Sequence, residues 1–184
     1  YILSKFISHQ MVKGMVSDGL PVTMVMPGMP FGPGDRMPTP TGTMILRTLE
    51  GKMKNYWEGG VCAVDVRDVA AGHVLAMEKG RVGESYILAN KDGNMPNKEL
   101  LTMIGKIAGV SNVAQTEVSG NVMLRVAKFA EMWSKISGRA PITTYKNTRY
   151  VLQHGYVDPA KAVQEFGLPQ TPLYDPYTQL TLPT

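Results

Sequence analysis

The chain has 184 residues, 43% hydrophobic and 18% charged; this is a globular composition with enough length for one core and part of a second, and it excludes a disordered segment. The net charge of +4 comes from 19 Lys and Arg against 15 Asp and Glu, scattered without a basic run, so no nucleic-acid partner is expected. No apolar run approaches the length of a membrane span, no membrane partner is expected, and the one cysteine, Cys62, has no internal disulfide partner and fits a cytoplasmic compartment.

In chain order, residues 1–18 read as a helix with apolar faces from Ile2, Phe6, Met15 and Val16, ended by Asp18-Gly19. Residues 20–26 form a short apolar run with β-branched members, the pattern of a buried parallel strand. Met11, Met15, Met24 and Met26 read as core positions. The stretch from Pro27 to Gly42 is dense in proline and glycine and reads as a loop. Residues 43–51 read as a helix and 54–58 as a short strand or turn.

Residues 61–64 read as a strand, and 65–79 as a helix with Val69, Ala70, His73, Val74 and Met77 at helical spacing. A strand over 85–89 follows. Next comes a helix over 97–108 with Asn97 as its N-cap, then a strand over 113–118 and a long helix over 119–137. Helices over 143–153 and from Asp158-Pro159 to about Phe166 complete the regular elements. The tail is proline-rich, and a long helix over 176–184 is not expected. Strands alternating with helices indicate an α/β protein. The order indicates the C-terminal part of a doubly wound Rossmann-type domain plus a small, mostly helical lobe. No Gly-x-Gly-x-x-Gly or related fingerprint follows an opening strand.

The chemistry-bearing pattern is at the start of the chain. Tyr1 and Lys5 are four residues apart, so on a helix they share one face. A phenol with an unperturbed pKa near ~10 is a poor base at neutral pH. A neighbouring ammonium favours the phenolate and lowers that pKa. The pair can therefore exchange a proton with a carbonyl or alcohol oxygen. Asp65, Arg67 and Asp68 read instead as helix-start residues that cap and complement the dipole. His73 reads as a packing histidine. His9, His73 and His154 have no metal-ligand spacing, and no metal is expected.

Several segments together carry a family resemblance. Tyr1-Ile2-Leu3-Ser4-Lys5 resembles the active-site segment of short-chain dehydrogenases/reductases. Residues 22–28, followed by Phe31-Gly32-Pro33-Gly34-Asp35, resemble the extended branch of that family. Val64-Asp65-Val66-Arg67-Asp68-Val69-Ala70-Ala71-Gly72-His73 is similar to a segment of its dihydroflavonol-reductase-like and epimerase-like members, and residues 78–88 continue the pattern. The match runs in order to about residue 105.

The resemblance implies NAD or NADP as cofactor and a small-molecule substrate. It implies Tyr1 as general acid/base, with Lys5 lowering its pKa and bonding the nicotinamide ribose. It implies Tyr1, Lys5, Pro27, Gly28 and Met29 beside the cofactor, Pro30 at the cofactor/substrate junction, and Phe31 and Met37 toward substrate. Residues 1–90 would be a remnant of the dinucleotide-binding domain with interleaved substrate-lobe segments, and 91–184 mainly the substrate-binding lobe. The family's Ser or Thr upstream of the tyrosine has no counterpart here, so an N-terminal half, in the same protein or a second chain, is expected as partner. A homodimer through the first helix is a further expectation.

Nucleotide-sugar members carry an Arg that clamps the diphosphate where this chain has Val61-Cys62-Ala63. This departure points to a reductase or dehydrogenase of small carbonyls and alcohols. The alternatives are a sugar epimerase or dehydratase of the same family, and a non-catalytic fragment serving as an interaction module.

Overall fold

A computed structural model describes residues 2–35, 39–141 and 143–173. Tyr1, Met37 and the 176–184 tail therefore lie outside the described residues. The chain is α/β, as its pattern of elements requires, and it divides into two compact units. One comprises residues 2–32, 63–93 and 157–173; the other comprises 33–62 and 94–156.

The first unit holds α1 (Ile2–Ser17), β1 (Met24–Pro27), β2 (Met29–Phe31), the second half of β4 (Gly60–Asp65), α3 (Val66–Lys79), β5 (Ser85–Leu88) and α7 (Ala160–Phe166). β1 pairs with β5 in parallel, Met24 opposite Ser85 through Pro27 opposite Leu88. β2 pairs in parallel with β4, Met29 opposite Ala63 and Phe31 opposite Asp65. The core gathers Val64, Tyr86 and Leu88 from strands, Val69 and Ala76 from α3, and Ala162, Phe166 and Leu168 from the C-terminal segment. Tyr86 and Phe166 meet with ring centroids 4.9 Å apart and a tilt of 58°, a favoured aromatic geometry. Gly72 allows this packing: a Cβ there would lie 2.7 Å from Leu168 Cδ1 and 2.9 Å from Leu88 Cδ2.

The second unit holds α2 (Pro40–Leu49), β3 (Asn55–Trp57), the first half of β4, β6 (Asn94–Pro96), α4 (Asn97–Ile107), β7 (Thr116–Val118), α5 (Gly120–Ser137) and α6 (Tyr145–Val151). β3 and β7 are parallel, and β6 runs antiparallel to the start of β4. α4 buries Leu100, Leu101 and Ile104. α5 packs beside α6. Thr39 caps α2, its side chain accepting from Gly42 N at 3.2 Å.

Four expectations need correction. The 27–42 stretch is not all loop, since Met29–Phe31 is a strand. Its Pro30 is tolerated because, among the described residues, β2 pairs only with β4, and an edge strand can lack one N–H. Asn97 is not the N-cap of α4; Pro96 holds that position without a side-chain bond. The Asn97 amide instead donates to Glu58 O at 3.3 Å, holding the turn before β4. The strand expected over 113–118 is confined to Thr116–Val118. Met11, Met15 and Met26 are exposed. In α1 only His9, Val12 and Val16 are even half-buried, a narrow face at i, i+3, i+7, and the two methionines of α1 lie off it.

Candidate active site

The direction of α1 sets the geometry of the candidate residues. Near its C-terminal end, Val16 approaches Gly83, where a Cβ would lie 3.1 Å from Val16 Cγ1. Seven residues earlier, His9 Nε2 lies 2.9 Å from Ser85 Oγ. Moving backward along α1 is therefore moving forward along the segment that enters β5. The helix runs against the strand, and its N-terminal end points toward the carboxyl ends of β1 and β5. Lys5 stands one turn before His9 on the same face, about 6 Å further in that direction.

At that carboxyl end β1 gives way to β2. Pro27 is the last residue of β1 and is exposed; Gly28 is half-buried and its N–H donates to Leu88 O at 3.0 Å. Met29 and Phe31 are half-buried in β2, with the exposed Pro30 between them. The fold thus brings Pro27, Gly28, Met29 and Phe31 into one strand-to-strand corner, with the Lys5 turn of α1 directed to the same end. In open α/β sheets this end is where ligands bind.

The residues read as structural behave so. The Asp65 carboxylate accepts from Arg67 N at 2.7 Å and from Arg67 Nε at 2.9 Å. The Arg67 guanidinium, chiefly by hydrogen bonding, holds the Asp65 carboxyl below the usual carboxylate range. Asp68 is buried and accepts from both Thr171 N and Thr171 Oγ1 at 2.7 Å, tying the C-terminal segment to α3. His73 Nδ1 lies 2.8 Å from Val69 O, one turn back on its own helix. Cys62 and Ala63 are buried in β4. Among the described residues no group of His, Cys, Asp and Glu could hold a metal ion, and no helix is long and apolar enough to cross a membrane.

Sequence reasoning missed the pairing of His9 with Ser85. The two are 76 residues apart, and only the i, i+4 step from Lys5 to His9 hints at a functional face. It also missed the Arg81, Tyr86 and Glu165 cluster. The Arg81 side chain pairs with the Glu165 carboxylate, and Tyr86 Oη donates to it at 2.5 Å. Those bonds, Arg81's first, hold the Glu165 carboxyl below its ordinary range. The cluster fastens α7 beside β5 and is structural.

Residues 1–89 match the NAD dependent epimerase/dehydratase family. The chain is 36% identical over 175 residues to a dihydroflavonol 4-reductase-like protein of Synechocystis, covering 93% of this chain and 50% of that protein. Its fold is similar to the crystal structure of gox2253, with a TM-score of 0.73 at 36% identity, over 91% of this chain and 50% of that one. It is also similar to a nucleoside-diphosphate-sugar epimerase from Pseudomonas aeruginosa, with a TM-score of 0.72 at 27% identity, over 94% and 50% of the two chains. The chain spans about half the length of the relatives it matches. It belongs to the NAD-dependent epimerase/dehydratase family, within the extended short-chain dehydrogenases/reductases, and corresponds to their C-terminal half.

Proposed function

We propose that this chain is the C-terminal, substrate-side half of an NAD(P)-dependent oxidoreductase that moves a hydride between the cofactor and a small carbonyl or alcohol carbon. The observation that supports this reading is the run of α1 against the segment entering β5, with Lys5 one turn beyond His9 in the direction of the strand ends where Pro27 and Gly28 lie. The residues at that end fit one side of a nicotinamide nucleotide. They offer a cation one helical turn before the half-buried His9 and a glycine with no side chain to obstruct a flat ring. The cofactor, when bound, supplies or takes the hydride.

The remaining chemistry belongs to the chain. The Tyr1 phenol gives a proton to the substrate oxygen in reduction and takes it back in oxidation. The Lys5 ammonium favours the phenolate by its charge and bonds the ribose. Pro27, Gly28 and Met29 border the nicotinamide. Phe31 and Met37 form the apolar side toward substrate. In this reading, residues 1–90 complete the cofactor-binding domain and 91–184 mainly the substrate lobe, with the cofactor fingerprint in an N-terminal half. Burial of Cys62 and Ala63 supports a substrate without a diphosphate, because neither position offers a cation or an exposed donor. The likeness to a nucleoside-diphosphate-sugar epimerase favours a second reading, a sugar epimerase or dehydratase using the same Tyr1 and Lys5. The exposed apolar side chains of α1 support the non-catalytic module as a third reading, and a homodimer through that helix.

The test joins the chain to a cofactor-binding half and follows reduced-cofactor absorbance with small aldehydes and ketones. Tyr1→Phe is expected to lower kcat by about 10²- to 10⁴-fold with little change in KM. Full activity in that variant would sink the proposal. Calorimetry on the chain alone separates the third reading: if neither NAD(H) nor NADP(H) gives heat at millimolar concentration, the chain does not hold cofactor unaided.

A further inference from the structure

The charge of this protein is not evenly spread. Residues 120–156 carry Arg125, Lys128, Lys135, Arg139, Lys146 and Arg149 against one carboxylate, Glu131. That stretch is therefore +5 where the whole chain is +4, and the rest of the molecule is close to neutral. Glu131 is occupied within the fold, accepting from Tyr145 N at 2.9 Å. No basic run exists in the sequence because helical spacing separates these cations.

The same stretch holds α5, which is apolar on the side turned away from its unit. Ala127 is its one buried residue. On the opposite side stand Val122, Val126, Phe129, Trp133 and Ile136, spaced by four, three, four and three. Their exposures run from 51% at Val122 to 73% at Ile136. This is a continuous apolar stripe with two large aromatic rings, larger than scattered surface hydrophobics explain. Arg125 stands at its edge, while Lys128 and Lys135 lie further round that flank of the helix, the Lys128 ammonium over the Tyr145 ring at 5.0 Å. The long stem of Arg125 can follow the stripe while its charged end reaches outward.

A second copy of the chain is a poor occupant for this face. Pairing α5 with itself would set +5 against +5 at close range, with one carboxylate per side to offset it. An anionic bilayer surface satisfies both features together. The stripe enters the boundary between headgroups and acyl chains, and the cations meet lipid phosphates. The helix is 18 residues long and carries cations along its length, so it suits lying in the plane of a membrane and not crossing it.

We propose that α5 is a membrane-surface helix that docks the second unit onto anionic lipid, against the expectation of no membrane partner, which rested on the lack of a spanning segment and does not bear on surface binding. This is independent of the oxidoreductase reading and of any residue assigned to it. The test is co-sedimentation of the protein with vesicles of phosphatidylcholine alone and of phosphatidylcholine with one-third phosphatidylglycerol. Binding is expected to the anionic vesicles and to be weakened by salt. Each of Arg125→Gln, Lys135→Gln and Arg139→Gln should lower the partition coefficient by roughly fivefold. Phe129→Ser with Trp133→Ser should abolish binding while circular dichroism stays unchanged. If that double variant fails to fold, the three charge variants, all on exposed side chains, still decide the question.

The proposal is overturned by any of three results. These are no preference for anionic vesicles, full binding by all three charge variants, or full binding by a folded Phe129→Ser, Trp133→Ser protein. Light scattering adds one more. A dimer that Phe129→Ser and Trp133→Ser dissociate would assign the stripe to a second copy and overturn the lipid reading.

Discussion

α1 and α3 belong to the same unit and both reach β5 or the segment that enters it, yet they are held very differently. α3 buries Asp68, Val69, Gly72 and Ala76 within 14 residues, and α7 with Leu168 closes over it. α1 has 16 residues and buries none. It meets its unit through His9, Val12 and Val16, while Leu3 is 68% exposed and Phe6 59%. Small residues let α3 approach the strands closely, whereas α1 touches β5 through a polar bond and a few half-buried contacts. Stability is therefore concentrated on the α3 side, and the face proposed to carry proton transfer belongs to the loosely held helix. Low local stability is common where function needs access or movement.

This contrast can be broken most forcefully at Phe166. Phe166→Ala empties the contact with Tyr86 and should cost about 3–5 kcal/mol, read from a chemical denaturation midpoint. A loss under about 1 kcal/mol would mean that α7 does not seal the α3 side.

A smaller effect is expected at the start of α3. Asp65→Ala removes the N-cap and should cost about 1 kcal/mol near neutral pH. Because the folded state lowers the Asp65 pKa, the carboxylate's contribution is fully present above the unfolded value near ~3.9 and is lost as pH falls through the lower folded value. The stability gap between wild type and Asp65→Ala should therefore close in acid, below about pH 4. A gap unchanged down to pH 2 would show that the Asp65 charge contributes nothing.

The smallest effect belongs to α1. Phe6→Ser should change stability by no more than about 0.5 kcal/mol and should raise solubility by removing exposed apolar area. A loss comparable to Phe166→Ala would erase the contrast and show that α1 is covered in solution.

Much of the architecture is legible in the chain because its cause is local. Helical periodicity outlines the long helices, and the Val61–Val64 and Ser85–Ala89 runs mark the strands that become β4 and β5. β2 and β6 escape such reading because each is three residues long and contains a proline. Nothing local reveals that β2 stands at the end of the β2-β4-β6 order among the described residues. The methionines mislead for a related reason: hydropathy states what can be buried, and the partner surface decides what is. Asn97 has the chemistry of a cap, but the carbonyl of Glu58, 39 residues away, takes its amide. The basic character of α5 and α6 is present in the sequence and hidden by spacing.

For the candidate site, the sequence by itself determined which residues share a face and what they could do. Tyr1 and Lys5 are four apart, a spacing that on a helix would set a phenol beside an ammonium, the pairing that the proposed proton transfer needs. It also determined family membership, since the residues from Val64 to His73 form a pattern that composition alone would not produce. Only the tertiary structure decided where the face of α1 that carries His9, Val12 and Val16 points. The contacts of Val16 with Gly83 and of His9 with Ser85 orient α1 against β5, and they join residues more than sixty positions apart. Such pairings depend on how strands align and helices pack, a balance of many weak contacts that no local pattern records.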